Sequence, residues 1–251
     1  MNKMKVDLLD KIKNSIYENI TEKKIGIAFS GGVDSTLISK ICVDLGYDVT
    51  LLTIGFPESH DILFSKEVNL QLKLIHNILE IDSHTFKETA FKIKQIIQTD
   101  NLSWNENCIA FYYVSKLARS LGIHFVVTAN GIDELFCGYN AYRMAISEGE
   151  SKISEVMNLK LDNEIKMMVA VNQIASEFNV KIIQPLLSPA FIEFAKTIPI
   201  SEKIHDSEDL LRKHIIRELA CDIGVPEISY TKRKKALQYG SKIHKALLKS
   251  K

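Results

Sequence analysis

Apolar residues follow a helical period at the start of the chain, where Val6, Leu9, Ile12, Ile16 and Ile20 recur every three or four positions. This spacing predicts a leading amphipathic helix over residues 4–19. Short apolar runs then alternate with helical periods. The runs predict strands at 25–29, 48–54, 78–82 and 124–128, and the periods predict helices at 36–45, 61–75, 85–98 and 106–121. Such alternation is typical of βαβ units, so the pattern predicts an α/β fold with a parallel sheet.

The strand signals fade after about residue 133, and the remaining pattern predicts a helical layer. Helices are expected at 133–147, 162–178, 189–197, 208–222 and 232–248, whereas the segment 182–185 is short enough to be a loop. We expect one domain over residues 1–251. It would comprise a leading helix (1–22), an α/β core (23–147) and a mostly helical part (148–251).

The bulk composition narrows the class of protein without changing this picture. The chain has 251 residues, of which 46% are hydrophobic and 25% are charged, as in an ordinary globular protein. Its formal net charge of +1 is too small to indicate binding to nucleic acid or to a membrane surface. The four scattered cysteines form no C-x-x-C pair, which predicts reduced, mostly buried thiols and a cytoplasmic location. No apolar run approaches ~20 residues, so no membrane span is expected.

A glycine-rich bend follows the first predicted strand, in the run Ser30-Gly31-Gly32-Val33-Asp34-Ser35. Glycines let the backbone approach a ligand closely, and the start of the next helix offers unpaired N–H groups to an anion. An aspartate in a phosphate cradle would repel phosphate unless a cation lay between them. The run therefore predicts a pyrophosphate loop in which Asp34 binds Mg²⁺. A plain strand–turn–helix corner with a helix cap is the alternative.

The fourth predicted strand ends in a second small-residue turn, in the run Val126-Val127-Thr128-Ala129-Asn130-Gly131-Ile132-Asp133-Glu134-Leu135-Phe136-Cys137-Gly138-Tyr139. Asp133 and Glu134 fall in the first turn of a helix, where carboxylates are favoured as caps. The carboxyl ends of parallel strands lie at one edge of the sheet, so Ser30, Ile54, Asp82 and Thr128 should line one crevice. The acidic pair is then expected beside the Mg²⁺–pyrophosphate site.

The first run resembles the pyrophosphate loop of the ATP pyrophosphatases, and the second resembles a signature of the synthetase domain of asparagine synthetases. Shorter stretches at Thr53–Pro57, Gln184–Pro199 and Leu210–Gly240 agree with that family, so the resemblance covers residues 23–243. It implies a Rossmann-like fold of the adenine nucleotide alpha hydrolase type, with helices on both faces of the sheet. It also implies ATP and Mg²⁺, and the amidation of a carboxylate through an acyl-adenylate with release of AMP and pyrophosphate.

The resemblance also implies site residues. Ser30, Gly31, Gly32, Asp34 and Ser35 would hold pyrophosphate, and Asp34 and Asp133 would share Mg²⁺. Lys234 would neutralise charge on the α-phosphate and, with Asp34 and Asp133, forms the expected catalytic set. The residues expected to border adenosine and substrate are Phe29, Ile54, Thr128, Ala129 and Gly131. The further candidates for the substrate pocket are Asp61, Asn130 and Glu134.

Three departures from the family pattern bear on the substrates. No glutaminase nucleophile follows the initiator methionine, because Asn2 stands there, so nitrogen is expected from free ammonia, a separate glutaminase subunit or an amine substrate. Asn130 stands where the family has a glutamate, and an amide cannot act as a general base. Either a base lies elsewhere, among His60, His84, Glu106 and Glu134, or the incoming amine needs none, or the reaction differs. Ser188 stands in place of a family aspartate, which suggests a substrate pocket that has lost two carboxylates.

Two rival functions remain open. Residues 229–251 contain eight Lys or Arg and no acidic residue, which is a pattern seen in nucleic-acid patches. A tRNA base-modifying ATP pyrophosphatase is therefore one alternative, although nucleic acid is not the expected partner. A non-catalytic nucleotide-binding subunit is the other, because Asn130 and Ser188 replace family acids. The sequence leaves the carboxylate substrate and homo-oligomerisation open.

Overall fold

A five-stranded parallel sheet forms the centre of the protein, described here from a computed structural model that covers residues 1–233 and 236–249. Its strands are β1 (Lys24–Ala28), β2 (Asp48–Gly55), β3 (Ile75–Glu80), β4 (Phe125–Val127) and β5 (Lys181–Ile183). They lie in the order β3-β2-β1-β4-β5, and every neighbouring pair is parallel. The predicted α/β fold with a parallel sheet is confirmed. The loop expected at 182–185 is partly wrong, because Ile182 and Ile183 pair with Val126 and Val127.

Thirteen α-helices are found among the described residues. They are α1 (Lys3–Asn19), α2 (Val33–Asp44), α3 (His60–Leu72), α4 (Ser83–Ile97), α5 (Leu102–Ser120), α6 (Ile132–Leu135), α7 (Asn140–Ala145), α8 (Glu150–Ser176), α9 (Pro189–Thr197), α10 (His214–Asp222), α11 (Glu227–Thr231), α12 (Leu237–Gly240) and α13 (Ile243–Leu248). Short 3₁₀ turns occur at Ile146–Glu148, Pro185–Leu187 and Ile200–Glu202. The predicted helices of the first half are confirmed to within a few residues.

The predicted helices of the second half need correction. The helix expected at 133–147 is interrupted between Leu135 and Asn140, and the one expected at 162–178 already begins at Glu150. The helix expected at 208–222 begins only at His214, because the Asp206–Lys213 segment bonds to its own backbone through aspartates instead. Where one helix was expected at 232–248, the described residues of that range form two separate short helices, α12 and α13.

Two apolar clusters cover the two faces of the sheet. On one face α1, α2, α9 and α10 contribute side chains such as Ile12, Leu37 and Ile216. On the other face α4, α5 and α8 contribute side chains such as Phe86 and Val171. Strands buried on both faces are expected for a parallel sheet, since crossover helices cover each side. This sandwich fixes the carboxyl ends of β1, β2 and β4 at one edge, where the candidate site lies.

Candidate functional site

The first loop of the site joins β1 to α2. Phe29 is anchored to the next strand, because its N–H donates to Leu52 O at 2.9 Å and its carbonyl accepts from the Thr53 hydroxyl at 2.7 Å. Gly31 has φ +79°, and a Cβ there would come within 3.2 Å of the Phe64 carbonyl oxygen and Ser65 Cα. Glycine is therefore required by both conformation and space. The loop turns directly into the N-terminus of α2, which carries Asp34 in its first turn.

The second loop joins β4 to α6 and is built in the same manner. Gly131 has φ +106°, and a Cβ there would lie 2.8 Å from the Leu186 carbonyl oxygen. The Gly131 N–H donates to Glu134 Oε2 at 3.0 Å, so Glu134 closes the first turn of α6. Asp133, in the same turn, is half-buried and lines the cavity. Because β1 and β4 are adjacent strands, the two loops meet although about a hundred residues separate them.

Lys213 joins the two loops. Its Nζ donates to both oxygens of Asp34, at 2.9 and 2.7 Å, and to Asp133 Oδ1 at 2.9 Å. The lysine side chain is 1% exposed, whereas those of Asp34 and Asp133 are 17% and 15% exposed. Burial lowers the pKa of Lys213, and the Asp34 carboxylate acts in the opposite direction. The two predicted carboxylates thus converge on one point, with a buried cation behind them.

The backbone that presents Lys213 is strained. Arg212 and Lys213 have φ of +50° and +56°, a left-handed conformation that non-glycine residues rarely adopt. Several bonds hold this conformation: Asp209 Oδ1 accepts from Arg212 N at 2.9 Å, and the Arg212 guanidinium donates to Gly138 O at 3.0 Å. Lys213 N donates to the Lys203 carbonyl at 2.6 Å. Sequence reasoning assigned no role to Lys213, although the Leu-Leu-Arg-Lys run belonged to a family-like block.

A cavity opens in front of the two carboxylates and contains most of the predicted site residues. From the first loop and its helix, Phe29, Ser30, Asp34 and Ser35 line it. From the second loop and its helix, the lining residues are Thr128, Ala129, Asn130, Asp133 and Glu134. Ile54 and Asp61 line it from β2 and α3. The expected clustering of these residues is therefore observed.

The remaining predicted residues lie elsewhere. Gly31 and Gly131 are buried behind the loops and shape them, while Gly32 lines a second, smaller cleft. Asp82 is not among the residues that line the cavity; it caps α4 through its bond to His84 N, because it follows the edge strand β3. Lys234 lies outside the described residues.

Basic side chains surround the smaller cleft beside the first loop. Arg217, Lys232 and Arg233 line it together with Ser30 and Gly32. The Arg217 guanidinium donates to the carbonyls of Arg212 and Tyr230, and so ties α10 to the segment that carries Lys232 and Arg233. Part of the basic character of the C-terminal region thus faces the glycine loop.

A second pair of acids, Glu134 and Glu164, lines the main cavity. Glu164 lies on α8, is 5% exposed and accepts a hydrogen bond at 2.5 Å from Asn130 Nδ2. Burial raises the pKa of Glu164 to about 7, and burial together with the Glu164 charge raises that of Glu134 to about 7. Sequence reasoning missed Glu164. The available signal was its place on the apolar stripe of α8, between Leu161 and Met168, both of which are buried.

The other candidates for a base, and the Ser188 expectation, are resolved by position. His84 is exposed at the start of α4, and Glu106 is buried in a contact with His244 away from the cavity lining. His60 lines the smaller cleft. Ser188 does not line the main cavity; its hydroxyl lies 3.0 Å from that of Ser15, between α1 and α9. The expectation that Ser188 removes an acid from the pocket is therefore wrong.

Comparisons with known proteins agree on one family. A family model described as asparagine synthase matches residues 8–168 and 146–250. The chain is 29% identical to a putative asparagine synthetase [glutamine-hydrolyzing] 1 of Methanocaldococcus jannaschii, over 95% of this chain and 50% of that protein. It is 24% identical to asparagine synthetase B [glutamine-hydrolyzing] of Escherichia coli, over 86% of this chain and 41% of that protein. The chain thus spans half or less of the length of these relatives.

A solved structure is similar in fold. The NMN synthetase of Francisella tularensis superposes with a TM-score of 0.50 at 16% identity, over 94% of this chain and 76% of that one. At this identity the likeness concerns the fold alone, and it supports the predicted Rossmann-like class. Within the described residues, no helix is both long enough and apolar enough to cross a membrane.

Proposed function

Because the chain belongs to the asparagine synthase family, we propose that it is an ATP-dependent ligase that amidates a carboxylate and forms AMP and pyrophosphate. The observation that carries this proposal is the convergence of Asp34 and Asp133 at one edge of a cavity, where both accept hydrogen bonds from Lys213 Nζ. Two strand-end loops that meet in this way form a cradle for a polyphosphate and its counter-ion.

The first loop is proposed to hold pyrophosphate. The N-terminus of α2 offers backbone N–H groups, and the Ser30 and Ser35 hydroxyls lie beside it in the cavity lining. Arg217, Lys232 and Arg233 in the adjoining cleft supply positive charge along the path of the leaving group. A largely apolar wall for adenosine is proposed to consist of Phe29, Ile54, Thr128 and Ala129. Gly131 lets the second loop approach the Leu186 carbonyl oxygen closely.

Asp34 and Asp133 fit a divalent cation. Carboxylate oxygens are the donors that Mg²⁺ prefers, and the ion usually binds one or two of them together with substrate phosphates and water. Both side chains face the cavity, while Lys213 neutralises part of their charge from the buried side. When bound, Mg²⁺ would offset negative charge on the departing pyrophosphate. Lys213 would keep the two carboxylates in place whether or not the ion is present.

The finer parts of the proposal concern residues and partners. Lys234 is proposed to stabilise charge on the α-phosphate, and its position lies outside the described residues. Nitrogen is proposed to come from ammonia or from a separate glutaminase subunit, and the cytoplasm is the proposed location. The basic residues of the smaller cleft face the glycine loop, which favours a phosphate role over the tRNA-modifying alternative.

ATP–pyrophosphate exchange tests the proposal. Wild-type protein is incubated with ATP, Mg²⁺, labelled pyrophosphate and a panel of small carboxylates that includes aspartate. We expect carboxylate-dependent exchange, and a loss of about 10³-fold or more in Asp34→Asn, because the variant lacks a carboxylate that would hold Mg²⁺ at the reacting phosphates. Asp162→Asn is the matched control, since Asp162 is 65% exposed and pairs with Lys166 on α8. Nucleotide binding without exchange for any carboxylate would favour the non-catalytic alternative. Exchange that requires tRNA would favour the other.

A further inference from the structure

Two histidines and an aspartate meet on the surface segment that leads to Lys213. A ring nitrogen of His205, a carboxylate oxygen of Asp209 and a ring nitrogen of His214 all lie within 4.8 Å of one another. None of these three residues lines the main cavity or the smaller cleft, so the cluster is separate from the site proposed for ATP. The proposed function gives it no role.

The two imidazole rings lie side by side next to the carboxylate. Their centres are 3.7 Å apart and their planes differ by 6°, so the rings of His205 and His214 are stacked. His214 Nε2 lies 2.5 Å from Asp209 Oδ2. Imidazole nitrogen and carboxylate oxygen are donors that Zn²⁺ prefers in proteins. The cluster therefore offers a two-histidine, one-carboxylate ligand set.

The Asp209 carboxylate is already held in one orientation by the backbone. Its Oδ1 accepts from the N–H groups of Leu211 and Arg212, at 3.1 and 2.9 Å, and its Oδ2 accepts from that of His205 at 3.1 Å. Hydrogen bonds to a ligating carboxylate orient it and strengthen metal binding. Binding an ion would therefore cost little ordering of this side chain.

The charges around the cluster favour a cation. Asp206 and Glu208 flank Asp209 in the chain, and both are exposed. Arg143 offsets part of this charge, because its guanidinium lies 3.7 Å from the Glu208 carboxylate. The Arg212 guanidinium donates to backbone carbonyl oxygens. Within residues 1–233 and 236–249, neither guanidinium is hydrogen-bonded to the Asp209 carboxylate.

The geometry points to a binding site for one Zn²⁺, or a similar ion such as Co²⁺, formed by His205, Asp209 and His214. Four-coordinate Zn²⁺ binds imidazole nitrogen at about 2.0–2.1 Å and holds its ligand atoms about 3.4 Å apart, so the exposed His205 ring would move inward by about 1.4 Å at most. Solvent reaches His205, so water fills the fourth position. Mg²⁺ prefers oxygen ligands, which separates this site from the one at Asp34 and Asp133.

The ion would brace the backbone that presents Lys213. His214 follows Lys213 directly, and Asp209 holds the N–H of Arg212, so the ligands lie on both sides of the left-handed pair Arg212 and Lys213. An ion that joins His205, Asp209 and His214 closes this segment into a loop and opposes its opening. The inference does not depend on the proposed function, because it needs neither nucleotide nor turnover.

Calorimetric titration with ZnCl₂ is the first test, with excess Mg²⁺ present to occupy the carboxylates at the main cavity. We expect saturable binding of Zn²⁺ by wild type that weakens at least about tenfold in His205→Gln, since loss even of a group that only supports a ligand costs about 10–100-fold. His84→Gln is the matched control, because His84 is also exposed. Asp34→Asn should bind Zn²⁺ as wild type does.

Two results of this titration would overturn the inference. One is the absence of Zn²⁺ binding by wild type, and the other is equal binding by wild type and His205→Gln, which would place the ion elsewhere. His205 is exposed, so its replacement should leave the fold intact, and far-ultraviolet circular dichroism checks this. His214→Asn is a second variant that removes a different ligand, and it should weaken Zn²⁺ binding to a similar extent.

Co²⁺ and hydrogen exchange test the coordination and its consequence. Co²⁺ bound by two histidines, one carboxylate and water should give the visible absorption of the four-coordinate ion in wild type, and this absorption should be lost in His205→Gln. With Zn²⁺, amide exchange at residues 203–214 should slow at least about tenfold in wild type and not in His205→Gln. Zn²⁺ binding without slower exchange would contradict the bracing of Lys213, whereas loss of pyrophosphate exchange activity alone would leave the metal site standing.

Discussion

Asp133 and Glu134 are consecutive residues, yet their carboxyl groups belong to two pairs with opposite electrostatics. Asp133 shares the buried ammonium of Lys213 with Asp34. Glu134 instead lies near Glu164, and within the described residues no salt bridge reaches either acid. Burial raises the pKa of both to about 7. The same α6 thus carries one acid that shares a buried ammonium group and one acid whose pKa burial raises, and both line one cavity.

The two pairs consist of the same type of group, a carboxylate, and differ in whether a cation contacts them. Lys213 contacts the two aspartates, and this contact sets the electrostatics of that pair apart from that of the glutamates. The paired aspartates share a buried ammonium group and suit a metal and polyphosphate. The two glutamates, which no salt bridge within the described residues reaches, hold a proton more readily because burial raises their pKa. Breaking either arrangement should therefore have distinct consequences for stability and for pH dependence.

The largest expected effect comes from removing the cation of the first pair. Lys213→Met leaves Asp34 and Asp133 facing each other without their shared partner, and removing one member of a buried ion pair costs about 3–5 kcal/mol. Urea unfolding measures this loss. Lys166→Met, whose ammonium is 63% exposed and pairs with Asp162, should cost less than about 1 kcal/mol. Similar losses in the two variants would contradict the bridging role of Lys213.

A smaller effect is expected from the second pair, and it depends on pH. Because the pKa of Glu164 is raised in the folded state to about 7 from 4.5, the unfolded chain releases this proton first. The free energy of unfolding of wild type should fall relative to Glu164→Gln as pH rises from 4.5 to 7, because Glu164 and the neighbouring Glu134 bind protons more tightly in the folded protein.

Urea titrations of both proteins across this range measure the difference. Burial lowers the pKa of His76 to about 4, which makes stability rise with pH over part of the same range. That contribution is common to both proteins and cancels in the comparison. Parallel pH profiles for wild type and Glu164→Gln would show that Glu164 titrates alike in the folded and unfolded chains.

The smallest expected effect comes from the hydrogen bond that supports Glu134. Tyr139→Phe removes the hydroxyl that donates to Glu134 Oε1, at a cost of about 1 kcal/mol, which is typical of one hydrogen bond. The same urea assay measures it, and Tyr17→Phe is the control because Tyr17 is 76% exposed. A loss as large as that of Lys213→Met would mean that Tyr139 holds more than this carboxyl group.

The sequence predicted the parts of the site that are encoded by contiguous runs. Both strand-end loops, and the meeting of Asp34 with Asp133, follow from local motifs and from the rule that parallel strands share one carboxyl edge. Lys213 was not assigned a role because it is 179 residues from Asp34 and depends on two consecutive left-handed residues that no helical period indicates. Glu164 was missed because its partner, Asn130, lies 34 residues away on another element.

The sequence predicted which segments are helices or strands better than it predicted the residues at which they begin and end. The helix predicted at 61–75 ends at Leu72 because Lys73 adopts φ +56°, and β3 then begins at Ile75 rather than at 78. The helix predicted at 208–222 loses its first turns because Asp209 accepts bonds from Leu211 N and Arg212 N. Aspartates that bond locally compete with helix formation, and apolar periodicity does not register that competition.

The bridge made by Lys213 also bears on the order in which the protein can mature during synthesis. Asp34 and Asp133 leave the ribosome well before residue 213 of the 251, so the emerging chain carries both acids without their shared cation. A chain that stops short of this lysine brings the two carboxylates together, when β1 pairs with β4, without the ammonium group that they share in the finished protein. Premature termination should therefore destabilise the edge of the sheet at which β1 and β4 end, whereas the Lys213 bridge stabilises that edge in the finished chain.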